Sequence, residues 1–467
     1  MIMRTVDSES ILTGTVEKRY PKLLIDTQTL PHADDLMIEK FLLLSLFMGL
    51  SMKGQASTRQ TGGKIQAQTN QLSPTIGNKK GNRWWGQYDN EYHILAQNYK
   101  TAGVVSARLT DAGEFMFSVP EANVNKTWNF FEVHAGRFIL PWAPMDRAWS
   151  LGYVNNRKNF NFYTPGEEGL IGAMAGVDFS FGLKLQTFGS FLYLPELNPS
   201  QQVKDGQTSS KNIWASPTPK YAEINGVKTP IRYYLNKPDI SSIIFRPTFG
   251  QLVGYNYSYF DVNSYYLIKP ENSIRAAGDA RLTTGGEIIA NINAKLYYEE
   301  VYGTNFSIKH DGYKAYASWM RVDPKNSPAN DPLFVQYIKI ESQLEARTYS
   351  GFGASKQGDR FNTGFNWIAM LTKPKGSDDI LANKSRFREA LEVFLTLDIT
   401  DKLKNNFDIK WDVMKGDKII MEEIAYEFGR GLVVSTGVNL IDSPTDSSYW
   451  SKFRDNDAVY ANMAYNY

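Results

Sequence analysis

The chain has 467 residues, no cysteine and a formal net charge of +2. The lack of cysteine excludes disulfides, thiolate metal sites and a cysteine nucleophile, and the small net charge without a dense basic stripe argues against nucleic-acid binding. Hydrophobic residues make up 42% and aromatic residues 13%, with 36 Gly, 27 Tyr and 26 Phe. This composition favours a β-protein over a helical or disordered chain.

The N-terminal part predicts an export signal preceded by an upstream extension. Residues 1–36 are polar and charged without periodicity, and Met37 stands where a start is expected. An apolar run over 41–52, with a lysine before it and small residues after it, has the order of a secretory signal. The run is too short to span a bilayer as a helix, which takes roughly 20 residues; the alternative is a buried helix of a soluble domain. We expect a non-native extension over 1–36, a signal peptide over 37–56 and cleavage between Ala56 and Ser57.

A polar N-terminal segment, 57–84, precedes a long region whose apolar residues recur at every second position. In 391–399 every odd position is apolar, while Glu392 and Asp398 lie between them. Charges deep in the polar face, strands of about ten residues and alternating short and long connections favour a membrane barrel over a soluble β-sandwich. Backbone groups in hydrocarbon must all be paired, so such a sheet has to close. We therefore expect an all-β fold with one closed antiparallel transmembrane β-barrel over 85–467, polar inside.

The predicted barrel has about 16 strands, within a range of about 14–18. Its last strand places Met463, Tyr465 and Tyr467 in phase with the apolar face, and we expect this strand to pair with the first one. Single-chain bacterial barrels have even strand numbers, so one candidate is expected to be a bulge, a split strand or a rim segment. The candidates are 87–99, 103–111, 128–140, 169–181, 183–195, 245–258, 259–268, 286–299, 301–310, 312–322, 333–347, 361–372, 386–399, 403–414, 418–428, 431–441 and 457–467.

The signal segment, the alternating strands and the ending AYNY resemble those of Gram-negative outer-membrane β-barrels, and among them porin-like channels. The resemblance is architectural and covers the chain after the signal. It implies export through the periplasm to the cell outer membrane. It also implies that Met463, Tyr465 and Tyr467 form a C-terminal assembly signal, with Tyr at the last position where Phe is usual. The implied partners are the barrel assembly machinery, periplasmic chaperones, outer-membrane lipid, lipopolysaccharide and further copies of the chain in a homotrimer.

The irregular segment 142–168 lies between two strand candidates and carries charges of both signs. General porins fold one loop into the lumen, where rows of fixed charge select ions by field and width. The alternatives are a surface loop with solvated charges, and an aromatic platform for sugars formed by Trp142, Trp149 and Tyr153. The candidate constriction residues are Asp146, Arg147, Arg157, Lys158, Glu167 and Glu168.

No motif in the sequence predicts catalysis. The chain lacks a GxSxG elbow, a HExxH helix and a P-loop, and no histidine spacing suggests a metal site. We expect neither enzyme activity nor a cofactor or metal. A barrel of this size leaves an aqueous lumen unless something fills it, so we expect a channel for passive diffusion of small hydrophilic solutes. The alternatives are a selective sugar or anion channel and a non-conducting adhesion or structural barrel that displays the polar loop 197–240.

Overall fold

In the computed structural model, one closed antiparallel sheet forms a barrel from 18 strands of the described part of the chain. The described residues are 58–72, 81–96, 99–110, 113–159, 161–163, 165–199, 201–210, 212–215, 218–224, 226–325, 338–341, 344–372, 385–446 and 448–466. The barrel strands are β1 (Thr58–Leu72), β2 (Gly81–Ala96), β3 (Tyr99–Thr110), β4 (Phe115–Trp128), β5 (Phe131–Phe138), β8 (Leu170–Asp178), β9 (Leu183–Ser190), β14 (Thr248–Tyr257), β15 (Phe260–Pro270), β18 (Tyr298–His310), β19 (Tyr313–Pro324), β21 (Arg347–Gln357), β22 (Phe361–Met370), β23 (Glu389–Asp398), β24 (Leu403–Asp412), β25 (Lys418–Gly429), β26 (Leu432–Asp442) and β27 (Ala458–Asn466).

Closure comes from the pairing of β1 with both β2 and β27. The predicted closed antiparallel barrel is therefore confirmed, with 18 strands rather than about 16. The polar segment predicted for 57–84 is corrected, because β1 occupies most of it and the barrel begins before residue 85. In β1 the outward Ile65 and Ala67 alternate with the more shielded Lys64, Gln66 and Gln68, so its outer face is only weakly apolar.

Further elements lie in the connections between barrel strands. Three connections contribute to a second sheet in the order β12 (Tyr221–Ile224), β13 (Val227–Leu235), β17 (Ile288–Lys295), β16 (Arg275–Leu282) and β20 (Ile338–Glu341). Strands β13 and β17 are parallel. Two of the predicted barrel strands, 286–299 and 333–347, fall on this sheet instead. In the described ranges, no helix is long and apolar enough to cross a membrane. The elements are β6 (Asn156–Lys158), β7 (Gly166–Glu168), β10 (Gln202–Lys204), β11 (Gln207–Ser209), β12 (Tyr221–Ile224), β13 (Val227–Leu235), β16 (Arg275–Leu282), β17 (Ile288–Lys295), β20 (Ile338–Glu341), α1 (Pro144–Ala148), α2 (Ile240–Ile244) and a 3₁₀ helix (Trp450–Asn456).

The two ends of the barrel differ in the length of their connections. At one end the hairpins are tight; Asp311 and Gly312, for example, both have positive φ (45° and 77°), as the turns favoured in two-residue hairpins require. At the other end lie the long connections that carry the second sheet and the helices. Exposed aromatic side chains surround the tight-turn end on the outer face, as expected of an interfacial girdle. They are Trp128, Phe130, Phe179, Phe181, Tyr257, Tyr259, Tyr313, Tyr426 and Phe428.

Candidate functional site

The connection between β5 and β8, residues 139–169, enters the barrel; we call it the inward segment. Near its start, the Trp142 indole Nε1 donates to Gln186 Oε1 on β9 (2.9 Å). Asn305 on β18 donates its side-chain amide to the Trp142 carbonyl (2.7 Å). Trp142 is only 1% exposed. These contacts fix the start of the inward segment against the inner wall.

The same segment reaches other sectors of the wall further along. The Tyr153 and Tyr349 hydroxyls are 3.0 Å apart, which joins the segment to β21. The Lys158 ammonium donates to Ser106 Oγ on β3 (2.8 Å) and to Ser118 Oγ on β4 (3.3 Å). Strands β3 and β21 belong to different sectors of the closed sheet. The inward segment therefore crosses the lumen.

Apolar packing holds the inward segment in place. Met145 and Trp149 are 1% exposed and belong to a core that includes inner-wall residues of several strands. Gly351 on β21 makes room for this contact, since a Cβ there would lie 2.7 Å from Met145 Sδ. Because Trp142 and Trp149 are buried, the described structure does not present them as a platform for sugars.

An aromatic layer joins the inward segment to two other long connections. It is formed by residues of three connections that are far apart in sequence, and its rings pack edge-on or tilted. The centroids of Phe162 and Phe453 are 4.9 Å apart, and those of Tyr163 and Trp214 are 5.0 Å apart. The Tyr163 hydroxyl also donates to the Asn456 carbonyl (3.2 Å). The layer comprises Phe162, Tyr163, Trp214, Tyr449, Trp450 and Phe453.

The remaining lumen contains a cavity of about 600 Å³ between the inward segment and the wall from β23 round to β3. Polar side chains dominate its lining, in keeping with the polar interior of an aqueous barrel. On one side the basic Lys64, Arg108 and Lys158 contribute to the lining, and on the other the acidic Asp408 and Glu423. Neutral polar lining residues are Gln66, Gln68, Gln87, Asn161, Thr396, Asn406, Asn439 and Tyr460.

Hydrogen bonds and ion pairs position the acidic side of the cavity. Glu423 Oε2 accepts from the Ser435 hydroxyl (3.0 Å) and from the Tyr460 hydroxyl (3.1 Å). Lys410 on β24 lies 3.4 Å from Asp408 Oδ2 and 2.6 Å from Glu392 Oε1. These contacts fix the carboxylates to the wall, so the field they produce in the cavity is preorganised.

Three of the six candidate constriction residues pair within the inward segment. Asp146 is buried and accepts backbone N–H groups of Tyr153 (2.9 Å) and Val154 (3.1 Å). Burial raises the pKa of its carboxyl, although both hydrogen bonds oppose this. Arg147 is exposed and lies 3.0 Å from Glu167 Oε2. Burial also raises the pKa of Glu167, which accepts from the Asn155 side chain as well (2.8 Å).

The other three candidates point to different surroundings. Glu168 is 1% exposed and pairs with Arg137 of β5 at 2.7 Å. Arg157 is buried, with one N–H donated to the Leu151 carbonyl. Lys158 alone of the six contributes to the lining of the cavity. The structure therefore brings the inward segment into the lumen, while most of its charges stabilise the segment itself.

Of the residues predicted for the C-terminal signal and the cleavage site, only two belong to the described chain. Met463 and Tyr465 are 56% and 46% exposed on the outer face of β27, in phase with each other. Tyr467, Ala56 and Ser57 lie outside the described residues. Among the residues that the structure describes, no cluster of three or more His, Asp or Glu is arranged to hold a metal ion.

The closed antiparallel sheet and the segment that crosses its lumen decide the architecture. The described chain is a closed antiparallel β-barrel with an inward segment. No family model and no curated protein matches its sequence. Its structure is similar to mutants of the Rh. blastica porin, with a TM-score of 0.40 and 10% identity over 88% of this chain and 100% of that one. It is also similar to Salmonella typhi OmpF in complex with daunomycin, with a TM-score of 0.40 and 11% identity over 88% and 97% of the two chains. At this level of similarity, the architecture rests on the strand pairing of the chain itself.

Several cavity residues of this barrel were not among the sequence candidates. Lys64 and Gln66 belong to β1, which the sequence analysis assigned to a polar segment, and Arg108 and Glu423 belong to wall strands. Alternation identifies the inward face of a strand such as β25. It does not identify which inward residues face water and which face the inward segment.

Proposed function

We propose that the protein is a channel for passive diffusion of small hydrophilic solutes across the outer membrane of a Gram-negative cell. The observation that carries the proposal is the polar cavity of about 600 Å³ beside the inward segment. An apolar outer face surrounds this polar interior, and aromatic side chains mark the tight-turn end. That combination suits a barrel whose outside contacts lipid and whose inside contacts water.

Within this proposal, the constriction lies where Lys158 of the inward segment approaches the wall. Lys158 is held by Ser106 and Ser118, so its position relative to the wall is fixed. Arg108 and Lys158 supply basic charge, and Asp408 and Glu423 supply acidic charge from another sector. A narrow passage between fixed charges of opposite sign admits small polar solutes. Its local electric field favours some ions over others.

Conductance in planar bilayers tests this function. The wild-type barrel is expected to conduct, and the variant Arg108→Glu with Lys158→Glu is expected to shift selectivity toward cations. The shift is measured as the reversal potential in a salt gradient at low ionic strength, where screening is weak. Arg147→Glu is the matched control, because Arg147 is exposed and does not line the cavity. Equal reversal potentials for all three proteins contradict the placement of the constriction.

A non-conducting surface barrel is the second candidate, and two observations favour it. The aromatic layer and the apolar core of the inward segment fill much of the lumen with side chains. The second sheet adds a structured platform built from the connections at the same end. Absence of any conductance from correctly folded protein, judged by heat-modifiable gel mobility, favours this candidate over the channel.

Export, assembly and oligomeric state complete the proposal. We propose that a signal over 37–56 is removed before Ser57, and the start of β1 at Thr58 supports this boundary. Outer-membrane lipid, lipopolysaccharide, periplasmic chaperones, the assembly machinery and two further copies of the chain are the proposed partners. N-terminal sequencing of the membrane-extracted protein tests the cleavage. Its mass in detergent, measured by light scattering, tests the homotrimer.

A further inference from the structure

Two arginines are buried in the lumen without taking part in the cavity. Arg157 is 9% exposed and Arg386 is 8% exposed. Arg386 precedes β23, and its guanidinium lies over three rings of the aromatic layer. The distances to the ring centroids are 4.9 Å for Phe162, 5.6 Å for Tyr449 and 5.5 Å for Trp450. Such stacking shields the guanidinium from water.

The two guanidinium groups meet at one turn of the inward segment. Arg386 Nη1 donates to the Ser150 carbonyl (3.0 Å), and Arg157 Nη2 donates to the carbonyl of the next residue, Leu151. Burial and the neighbouring positive charge of Arg386 lower the pKa of Arg157 to about 10. Two like charges therefore lie close together in a buried place.

The carboxylates of Glu196 and Asp146 partly offset the charge of Arg157, but in the described residues neither forms an ion pair with the two arginines. Both oxygens of Asp146 accept backbone N–H groups, and Glu196 accepts from the Ser273 hydroxyl (2.7 Å). Neither Arg157 nor Arg386 has an ion pair there, in contrast to Arg137, which pairs with Glu168 at 2.7 Å.

The arginine pair also retains buried donors. In the described part of the chain, Nε and Nη1 of Arg157 and Nε and Nη2 of Arg386 have no hydrogen-bond partner. Removing charged donors from water without compensation is costly, because each loses its hydration. For Arg386 the two donors are Nε and Nη2, which form one edge of the planar guanidinium. That edge offers two parallel N–H groups, the geometry that binds an oxyanion through both of its oxygens.

We propose that Arg386 and Arg157 form a buried binding site for a small oxyanion. The edge of Arg386 binds two oxygens of the anion, and Arg157 supplies a third donor. Neither arginine lines the solute cavity, so the site is separate from the proposed diffusion path. The bound anion joins the inward segment, the aromatic layer and the residues before β23 into one unit, and so stabilises the inward position of the segment.

Inorganic phosphate is the probe, added to the full-length barrel in detergent. Phosphate replaces chloride at constant ionic strength, and the measured quantity is the temperature of the heat-modifiable mobility transition. The expected result for the wild type is an upward shift that saturates with phosphate concentration. Losing a charge-assisted hydrogen-bonding edge weakens binding by about tenfold or more. Arg386→Gln and Arg386→Lys are therefore both expected to need at least about ten times more phosphate for the same shift.

Arg454→Gln is the matched control, because Arg454 is a partly exposed arginine of the connection between β26 and β27 and pairs with Asp446. It removes one positive charge and should leave the phosphate response unchanged. Arg386→Lys keeps the charge, so it reports on the edge geometry even if Arg386→Gln fails to fold. A wild type without a phosphate-specific shift overturns the proposal, as does a full shift in Arg386→Lys.

Discussion

The inner wall of the barrel has two sectors that differ in what they contact. From β8 to β22 the inner face packs against the inward segment, and from β23 round to β3 it borders the cavity. The outer faces of both sectors are mainly apolar, and that of β1 is the least so. Buried inner residues of the first sector are Met174, Phe188, Leu252, Leu267, Val301, Met320, Tyr349 and Ile368. Inner residues of the second sector are Thr396, Asp408, Glu423, Asn439, Gln66 and Gln87.

This contrast shows that the polarity of inner-face residues depends on whether they contact water or the inward segment. An inner residue that borders water gains from polarity, whereas one that contacts the inward segment gains from buried apolar area. The sequence expectation of a polar interior therefore holds for the second sector, while the first combines buried apolar side chains with buried polar ones such as Gln186, Asn305 and Asn366.

The largest effect on stability and conductance is expected where the first sector packs against the inward segment. Trp142→Ala removes a fully buried indole and its hydrogen bond to Gln186. Truncating a buried aromatic residue costs about 3–5 kcal/mol, and the loss should appear as a lower unfolding midpoint and as noisier, larger conductance. The control is Trp411→Ala, which removes an indole from the outer face of β24, where it is 43% exposed. Equal conductance changes in both variants would contradict the role assigned to Trp142.

The two faces of one strand in the second sector provide the next test. Leu395 lies on the outer face of β23, and its neighbour Thr396 borders the cavity. Leu395→Arg places a charge toward lipid near the middle of the strand and should cost roughly 2–4 kcal/mol. Thr396→Arg places the same charge in water and should be much milder. Unfolding in detergent–lipid mixtures measures both. Similar costs would mean that β23 does not separate lipid from water.

The strands of the second sector were the easiest to predict from the sequence. In β23 to β26, strong alternation of apolar and charged residues identifies both the strand and its outward face. Strands β1, β4 and β21 were not predicted, each for a physical reason. β1 has few apolar residues, β4 contains Pro120 and a register shift in its pairing with β3, and β21 replaces inner side chains by Gly351 and Gly353.

The lumen itself was only partly predictable. For the charged connection over 142–168, an inward fold was one of three interpretations, and the structure shows that residues 139–169 cross the lumen. Which of its charges reach water depends on how the segment packs against strands distant in sequence, such as β3 and β21. Alternation also cannot distinguish barrel strands from those of the second sheet, because β17 alternates as clearly as β14.

A smaller loss of stability is expected when a glycine that contacts the inward segment is replaced by alanine. A Cβ at Gly351 would lie 2.7 Å from Met145 Sδ and 2.8 Å from the Trp367 carbonyl oxygen. Gly351→Ala should therefore cost about 1–3 kcal/mol by overpacking. Gly189 on β9 is the matched control, because a Cβ there meets no heavy atom within 4 Å. Chemical unfolding of both variants measures the difference. Equal midpoints would show that the inward segment does not pack against β21.

The smallest effect on stability and selectivity is expected for a charge of the inward segment that is exposed and contacts neither sector of the wall. Arg147 is 49% exposed and pairs with Glu167 at 3.0 Å. Exposed ion pairs contribute about 1 kcal/mol or less, because water and salt screen them. Arg147→Ala should therefore leave both the unfolding midpoint and the ion selectivity nearly unchanged. Lys158→Ala should change the ion selectivity more than it changes the unfolding midpoint. A selectivity change in Arg147→Ala as large as that in Lys158→Ala would mean that the exposed face of the inward segment also borders the solute path.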